Sequence, residues 1–259
     1  MPVLAPHLER LATTLAAAAR SATPAAIEPG IYPRSASEAY RVQREILRLD
    51  GSGLGGIKVG SKSTTGPIHG ALLPNSGLKP SAENVRHRDY PVVALELEIA
   101  FRFGKTFTPR PTPYSEQEVL DSVAMMAATI EIVSSRLAGW PDSDALCQLA
   151  DLQNHGALIV GEFVPYDARF PFEQPPLTFT FAGQDISGQA PANPAGDPRR
   201  LLSWAVNHCL DQGLAVGPEL VITTGSYTGA YFLTKPVLSE PGLAAGEIAG
   251  LPPVQVQLV

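Results

Sequence analysis

The run VVALELEIAF, Val92 to Phe101, constrains the fold more than any other stretch of the chain. Successive side chains of a strand point to opposite faces. Leu95, Leu97, Ile99 and Phe101 therefore make one apolar face, and Ala94, Glu96, Glu98 and Ala100 the other. The two carboxylates leave the backbone about 6.8 Å apart, at ~3.4 Å per residue. Like charges at that range repel unless water, a cation or protons separate them. A strand destined for a core thus carries two acids on one side, and something must explain them.

The chain has 259 residues, enough for one large domain or a main domain with a smaller annex. Hydrophobic residues make up 44% and charged residues 17%, so a sizeable core can form and disorder is not expected. Gly (23) and Pro (25) are plentiful, which suits turns between short strands better than a helical bundle. A formal charge of −6 and the lack of a basic cluster argue against nucleic-acid or anionic-membrane partners. Cys147 and Cys209 form no CxxC pattern, which fits buried thiols in a reducing compartment. His7, Glu9, Arg10 and Arg20 interrupt the only segment resembling a signal peptide, and no run approaches the ~20 apolar residues of a membrane helix. A soluble, cytoplasmic protein is expected.

Leu4, Leu8, Leu11 and Leu15 form one stripe of an amphipathic helix. Ser35 and Glu38 have capping-box spacing before a second helix with Tyr40, Ile46, Leu47 and Leu49. GSGLGG, Gly51 to Gly56, follows a helix and precedes an apolar run, the reverse of a dinucleotide loop's context. Strands are predicted at IKVG, Val92 to Phe103, TIEIVSS, Ala157 to Val160, Leu177 to Phe181, Leu220 to Thr224 and Val254 to Val259. Ser115 and Glu118 cap a third predicted helix running through Val119, Val123 and Met126, and Pro198 to Gln212 reads as a fourth. Residues up to about 55 read as a helical annex on a strand-rich body.

Glu131 lies between Ile130 and Ile132, so its position is at least half buried. A buried carboxylate must be paired, hydrogen-bonded, protonated or metal-bound. Arg136, Lys58 and Lys62 are the candidate cations. Spacing leaves two readings open. In one, Glu96 and Glu98 coat a solvated sheet face and Glu131 pairs with Arg136. In the other, the three carboxylates hold a divalent cation such as Mg²⁺, which keeps several waters and leaves places for a chelating substrate. His7, His69, His87, His155 and His208 show no HxH or HxxxH spacing, which disfavours a softer metal.

ELE in an alternating strand, followed after a helix by IEIVSSR, resembles the fumarylacetoacetate hydrolase superfamily, and within it the 2-keto-4-pentenoate hydratase and 4-oxalocrotonate decarboxylase branch. AYRVQ, KVG at Lys58 to Gly60, ELEIAF, IEIVSSR, LAD followed by GALIVG, and TGSYTG at Thr224 to Gly229 occur in the family order. Each motif is weak alone, whereas their ordered co-occurrence is specific. The resemblance implies a mixed α/β, strand-rich catalytic body over residues 56–259, with the helical annex over 1–55. It implies Mg²⁺ or Mn²⁺ on Glu96, Glu98 and Glu131, and Lys58 as the active-site lysine, donating to the substrate carboxylate with Lys62 in reserve. Asp151 matches the aspartate of the family's ADN segment, and Ser226 and Thr228 lie in the loop bordering the pocket. The implied reaction is hydration of a small 2-oxo acid or its dienol in aromatic catabolism. Alternatives are a 4-oxalocrotonate-type decarboxylase, an acylpyruvate hydrolase, or a silent relative that binds a small acid or serves in assembly. A homo-oligomer is implied, with a hydratase or decarboxylase of the same pathway as a possible further partner.

The chain departs from that pattern around the metal ligands. Where the hydratases read ADN-x-S-x-G, this sequence reads ADLQNHG, with Leu152 at the asparagine position, Asn154 at the serine position and His155 before Gly156. Ser61 and Lys62 replace the leucine–threonine that follows K-[IVM]-G, and LLPNSGL lacks an acidic residue expected there. These changes bear on the substrate more than on metal binding. His155 is a candidate general acid or base, since imidazole titrates near neutrality. The alternative is a hydrogen-bonded histidine outside the pocket.

Overall fold

A computed structural model of the protein describes residues 4–234 and 237–259. The first element, α1 (Pro6–Ser21), has Pro6 in its first turn and buries Leu8, Leu11 and Leu15 as one stripe. In α2 (Ala36–Asp50) the Ser35 hydroxyl accepts from the Glu38 backbone N–H, and the helix stops at Gly51, whose φ of +77° suits a glycine. β1 (Leu54–Ser61) and β2 (Ile68–Pro74) then pair antiparallel, followed by the short strands β3 (Leu78–Pro80) and β4 (Asn84–Val85). The long strand β5 (Val93–Phe103) is separated by α3 (Glu116–Leu120) from its partner β6 (Val123–Val133). α4 (Ala145–Ala150) leads into β7 (His155–Val160), and β8 (Val164–Pro165), β9 (Leu177–Phe181) and β10 (Gln184–Asp185) precede α5 (Arg200–Asp211). β11 (Val221–Ser226), β12 (Tyr231–Leu233), β13 (Gly242–Ile248) and β14 (Val254–Leu258) come last.

Nine of these strands form one sheet with the path β2-β1-β11-β5-β6-β7-β3, β12 pairing with β5 and β8 with β6. The sheet curls. Lys58 on β1 reaches Glu131 on β6 at 2.7 Å, although β11 and β5 lie between their strands. In a flat sheet those strands would stand about 14 Å apart, at ~4.8 Å per neighbour. Inside the curl, Leu73, Ala100, Leu158 and Val221 make a small apolar plug, and the carboxylates of β5 and β6 share the face of Ala100. The opposite face carries Leu95, Leu97, Ile99, Phe101, Ile130 and Ile132 into the main core. That core is closed by α5 and by a five-stranded sheet, β10-β9-β13-β14-β4, through Phe179, Ala244, Val254 and Val256.

The helices α1 and α2 share a second apolar cluster with Ala71 of β2 and with Cys147, Leu149 and Ala150 of α4. Gln43, only 1% exposed, joins these layers. Its amide donates to the carbonyls of Gly70 and Leu149 and accepts from the Leu72 N–H, occupying the free edge of β2 as a neighbouring strand would. Both cysteines are free and buried. Among the described residues, no helix is long and apolar enough to cross a membrane.

The predicted third helix is corrected. Its capping box at Ser115 and Glu118 is present, but the helix ends at Leu120, and Val123 and Met126 belong to β6. The cause is tertiary. Pairing with β5 runs from Phe103 opposite Val123 to Ala94 opposite Val133, and such a ladder outweighs the helical preference of the Ala- and Met-rich VAMMAA. The strand predicted from Thr129 is the second half of that same element.

Candidate metal centre

Cross-strand register delivers the three acids to one place. Glu96 stands directly opposite Glu131 on the β5–β6 ladder, and Glu98 opposite Thr129 on one side and Ser226 on the other. Like charges directly opposite are destabilising in a sheet, yet one oxygen of each of Glu96, Glu98 and Glu131 lies within 4.8 Å of the others. Glu131 is fully buried, Glu98 is 1% exposed and Glu96 is half-buried. Burial and the neighbouring acids push the Glu98 carboxyl up to about 8 and that of Glu96 to about 7, with Lys58 opposing in both cases. Glu131 behaves differently. Burial acts to raise it, but the Lys58 ammonium and the His155 imidazole together hold it below the usual carboxylate range.

Lys58 Nζ donates to both oxygens of Glu131 at 2.7 Å and to the Gln153 carbonyl at 3.2 Å. Burial works against its charge, but Glu131, Glu96 and Glu98 outweigh burial and keep it protonated. His155 Nδ1 lies 2.9 Å from Glu131 Oε1, and burial holds the imidazole below its ordinary pKa. Three carboxylates against one ammonium leave a formal −2, which one divalent ion neutralises. The donor set, all oxygen and charge-rich, fits a hard cation of the Mg²⁺ or Mn²⁺ kind. The alternative of a solvated acidic face does not match this burial, and the predicted pairing of Glu131 with Arg136 is replaced by Lys58.

The surrounding backbone is held in an uncommon shape. Leu152, Gln153 and Asn154 have φ of 50°, 50° and 60°, left-handed values that cost about 1–3 kcal/mol each in non-glycine residues. This turn places the Gln153 carbonyl on Lys58, and Asp151 and Arg136 pin it. Asp151 is fully buried, accepts from Ser135 Oγ and the Arg136 N–H at 2.9 Å, and forms an ion pair with the Arg136 guanidinium. Arg136 Nη2 also donates to the Asp151 carbonyl and Nη1 to that of His155.

The predicted site residues thus fall into groups. Glu96, Glu98, Glu131, Lys58 and His155 converge. The three Lys58 contacts account for all the protons of its ammonium, so as placed it braces Glu131 where it was expected to meet a substrate carboxylate. Asp151 makes its contacts with Ser135 and Arg136 and bears on the centre through the 152–154 turn. Ser226 pairs in register with Glu98, while Thr228 Oγ1 accepts from the Leu97 N–H and fastens the TGSYTG loop to β5. Lys62 is exposed on the bend after β1. Sequence reasoning missed Thr223, whose hydroxyl donates to Glu98 Oε2, and Asn193, whose amide donates to the Thr224 and Gly225 carbonyls. Both are ordinary polar residues in sequence. The only available signal for Thr223 was its alternation with Val221 on the inward face.

No family model and no curated protein matches the sequence. Solved structures do. The 4-oxalocrotonate decarboxylase from Pseudomonas putida G7, complexed with magnesium and adipate, superposes with a TM-score of 0.82 over 97% of this chain and 97% of its own, at 17% identity. The fold is of the fumarylacetoacetate-hydrolase type. A fumarylpyruvate hydrolase from Pseudomonas aeruginosa in complex with Mn²⁺ and pyruvate matches over 78% of this chain and 88% of its own, with a TM-score of 0.54 and 16% identity. A 2-hydroxyhepta-2,4-diene-1,7-dioate isomerase from Mycobacterium marinum matches over 80% and 76%, at 0.53 and 17%. The mixed α/β, strand-rich body expected from the motifs is therefore the body observed, and the fumarylacetoacetate-hydrolase-type sheet supplies the strands that bring ELE and IEI together.

Proposed function

We propose that the protein is a divalent-metal-dependent lyase acting on a small 2-oxo acid or its dienol, with hydration as the reaction. The observation that carries the metal-dependent part of this reading is the convergence of Glu96, Glu98 and Glu131 within 4.8 Å beside Lys58, an arrangement that serves hydration, decarboxylation and hydrolysis alike. When bound there, the cation supplies a Lewis acid that lowers the cost of negative charge on the 2-oxygen of such an acid. The chain's own residues do the rest. Glu96, Glu98 and Glu131 hold the ion. Lys58 and His155 keep Glu131 ionised and fixed in direction, and the Thr223 hydroxyl fixes the direction of Glu98. Ser226, beside Glu98 at the end of β11, offers a hydroxyl at the rim where a carboxylate would enter. The plug of Leu73, Ala100, Leu158 and Val221 closes the site from below and keeps water out of that end.

Decarboxylation is the second reading, favoured by the full-length likeness to the decarboxylase complexed with magnesium and adipate. Incubation with 2-hydroxypentadienoate, 2-oxohex-3-enedioate and an acylpyruvate, in Mg²⁺ or Mn²⁺, separates the reactions by their products. A hydroxy-2-oxo acid means hydration, CO₂ means decarboxylation, and two carbon fragments mean hydrolysis. Turnover that survives exhaustive chelation would overturn the metal-dependent reading.

A further inference from the structure

One end of the carboxylate site carries an aromatic pair that neither holds the ion nor packs in the main core. Phe232 of β12 stands opposite Ala94 of β5, and Ala94 opposite Val133 of β6. Directly opposed side chains share a sheet face, so these three make one row on the face of Glu96, Glu98 and Glu131. The next row along is Glu96 with Glu131. Diagonal neighbours such as Phe232 and Glu96 stand about 7–8 Å apart. Tyr231 and Leu233, on either side of Phe232, turn to the main core instead, while Phe232 is 48% exposed.

A lone exposed phenylalanine needs no explanation, but this one has a partner. The Trp140 ring lies with its centroid 5.3 Å from that of Phe232, the planes 34° apart. Trp140 is reached from Val133 through the segment SSRLAG, and that segment is fastened. Ala25 donates its N–H to the Arg136 carbonyl and accepts from the Ala138 N–H, and the Trp140 N–H donates to the Leu137 carbonyl. Trp140 also packs, half-buried, against the cluster of α1, α2 and α4.

The order Ala94, Glu96, Glu98, Ala100 along β5 gives the site a direction. Its Ala100 end is stopped by the plug with Leu73, Leu158 and Val221, so a 2-oxo acid held at the carboxylates extends the rest of its chain toward Ala94 and the two rings. Charge at that end does not suit a second carboxylate. Lys58 is taken up by Glu131 and Arg136 by Asp151, and Asp142 and Asp144 follow Trp140 in the chain. Like charges brought together at a binding surface exclude the wrong partner.

We propose that Trp140 and Phe232 are specificity-determining residues that receive the far end of the substrate, and that this end is an apolar ring or bulky alkyl group, not a carboxylate. The inference rests on the lyase reading and narrows its substrate class. Aromatic rings pair at centroid distances of about 4.5–7 Å in offset or tilted arrangements, and the half-exposed Phe232 leaves ring surface for a third group.

The test is calorimetric titration of the full chain, with Mg²⁺ and with EDTA, using 4-phenyl-2-oxobutanoate, 2-oxopentanoate and 2-oxohexanedioate. These share one 2-oxo acid head and a saturated chain to which no water can add, and they end in a ring, a methyl group and a carboxylate. Binding that needs Mg²⁺ is expected for the phenyl compound, about tenfold tighter than for 2-oxopentanoate, with the dicarboxylate weakest. Phe232→Ala and Trp140→Ala each bring the phenyl compound to the Kd of 2-oxopentanoate, whose own Kd changes less than about twofold. A merely structural role would weaken all three acids together, and that result would overturn the proposal. Tightest binding of the dicarboxylate, or a phenyl advantage that survives in Phe232→Ala, would also overturn it. Mg²⁺-dependent binding without preference for the ring ends this inference alone, whereas no Mg²⁺-dependent binding of any of the three ends the lyase reading with it.

Discussion

Glu98 and Glu131 sit 33 positions apart in sequence and a few ångströms apart in space, yet they obey opposite rules. Glu131 is held ionised by Lys58 and His155, whereas Glu98 is driven toward its neutral form by burial and by the other acids. Their glutamine variants should therefore diverge. Glu131→Gln leaves the nearly buried Lys58 without its counter-ion, and removing one partner of such a pair costs about 3–5 kcal/mol. Glu98→Gln removes a charge that the metal-free protein resists, and the metal-free form stays at least as stable as the parent. Urea unfolding in EDTA checks both, and equal losses in the two variants would contradict the assignment. Addition of Mg²⁺ gives a second contrast. A ligand of the native state at 100 times its Kd adds about 2.7 kcal/mol of stability. The parent's melting temperature should rise accordingly, and that of Glu98→Gln should stay nearly flat, because a ligand is missing.

Among the elements, α2 meets β2 through an apolar cluster that includes Ala71 and through the amide of Gln43. Gln43→Leu keeps the volume of the side chain but strands the Gly70 and Leu149 carbonyls and the Leu72 N–H. Each unsatisfied buried group costs about 1–3 kcal/mol, so a loss of about 3 kcal/mol or more is expected, read as a lower urea midpoint at unchanged slope. Gln43 also shows what kind of information the sequence holds. It interrupts the buried stripe of Ala39, Val42 and Ile46 on one helix face, a visible irregularity, but nothing local says that a strand edge waits opposite. β5 was legible because its apolar and acidic positions share one strict period of two, and Glu131 because isoleucines flank it. The pairing of Glu131 was not legible, because Arg136 is near in the chain while Lys58 is near only once the sheet curls. VAMMAA, at the start of β6, has no clean period of its own, so its strand state is imposed by β5. Gly242–Ile248, rich in glycine and alanine, reads as a loop until β9 and β14 pair with its two edges. Gly246 shows why small residues stand there, since a Cβ would come within 2.4 Å of Leu97.

At the scale of the whole molecule, the helices of the first fifty residues meet the sheet and α5 around His208, where global stability gains a dependence on pH. The imidazole stacks on Trp204 with centroids 4.3 Å apart and takes the edge of Tyr40 at 4.2 Å. Trp204 in turn lies over Gly70 of β2, where a Cβ would approach its ring to 2.8 Å. Gln212 Nε2 lies 2.7 Å from His208 Nε2, and the Gln212 carbonyl accepts from Arg44 of α2. Burial lowers the His208 pKa to about 4, with Asp211 acting weakly in the other direction. The sign follows from proton counting. Unfolded histidine titrates near 6.5, so between about 6.5 and 4 the unfolded chain binds a proton that the folded one refuses, and stability falls with pH through that window. Above 6.5 both states are neutral and the contribution is intact. His208→Gln removes this uptake. Its melting temperature should follow the parent's in parallel above pH 7 and decline less steeply from pH 6.5 to 4.5, where carboxylate titration is common to both proteins. Parallel profiles down to pH 4.5 would mean that the folded protein accommodates a charged ring between Tyr40 and Trp204. A gap that opens below pH 6.5 would show that the junction between the helices, β2 and α5 is closed around a neutral one.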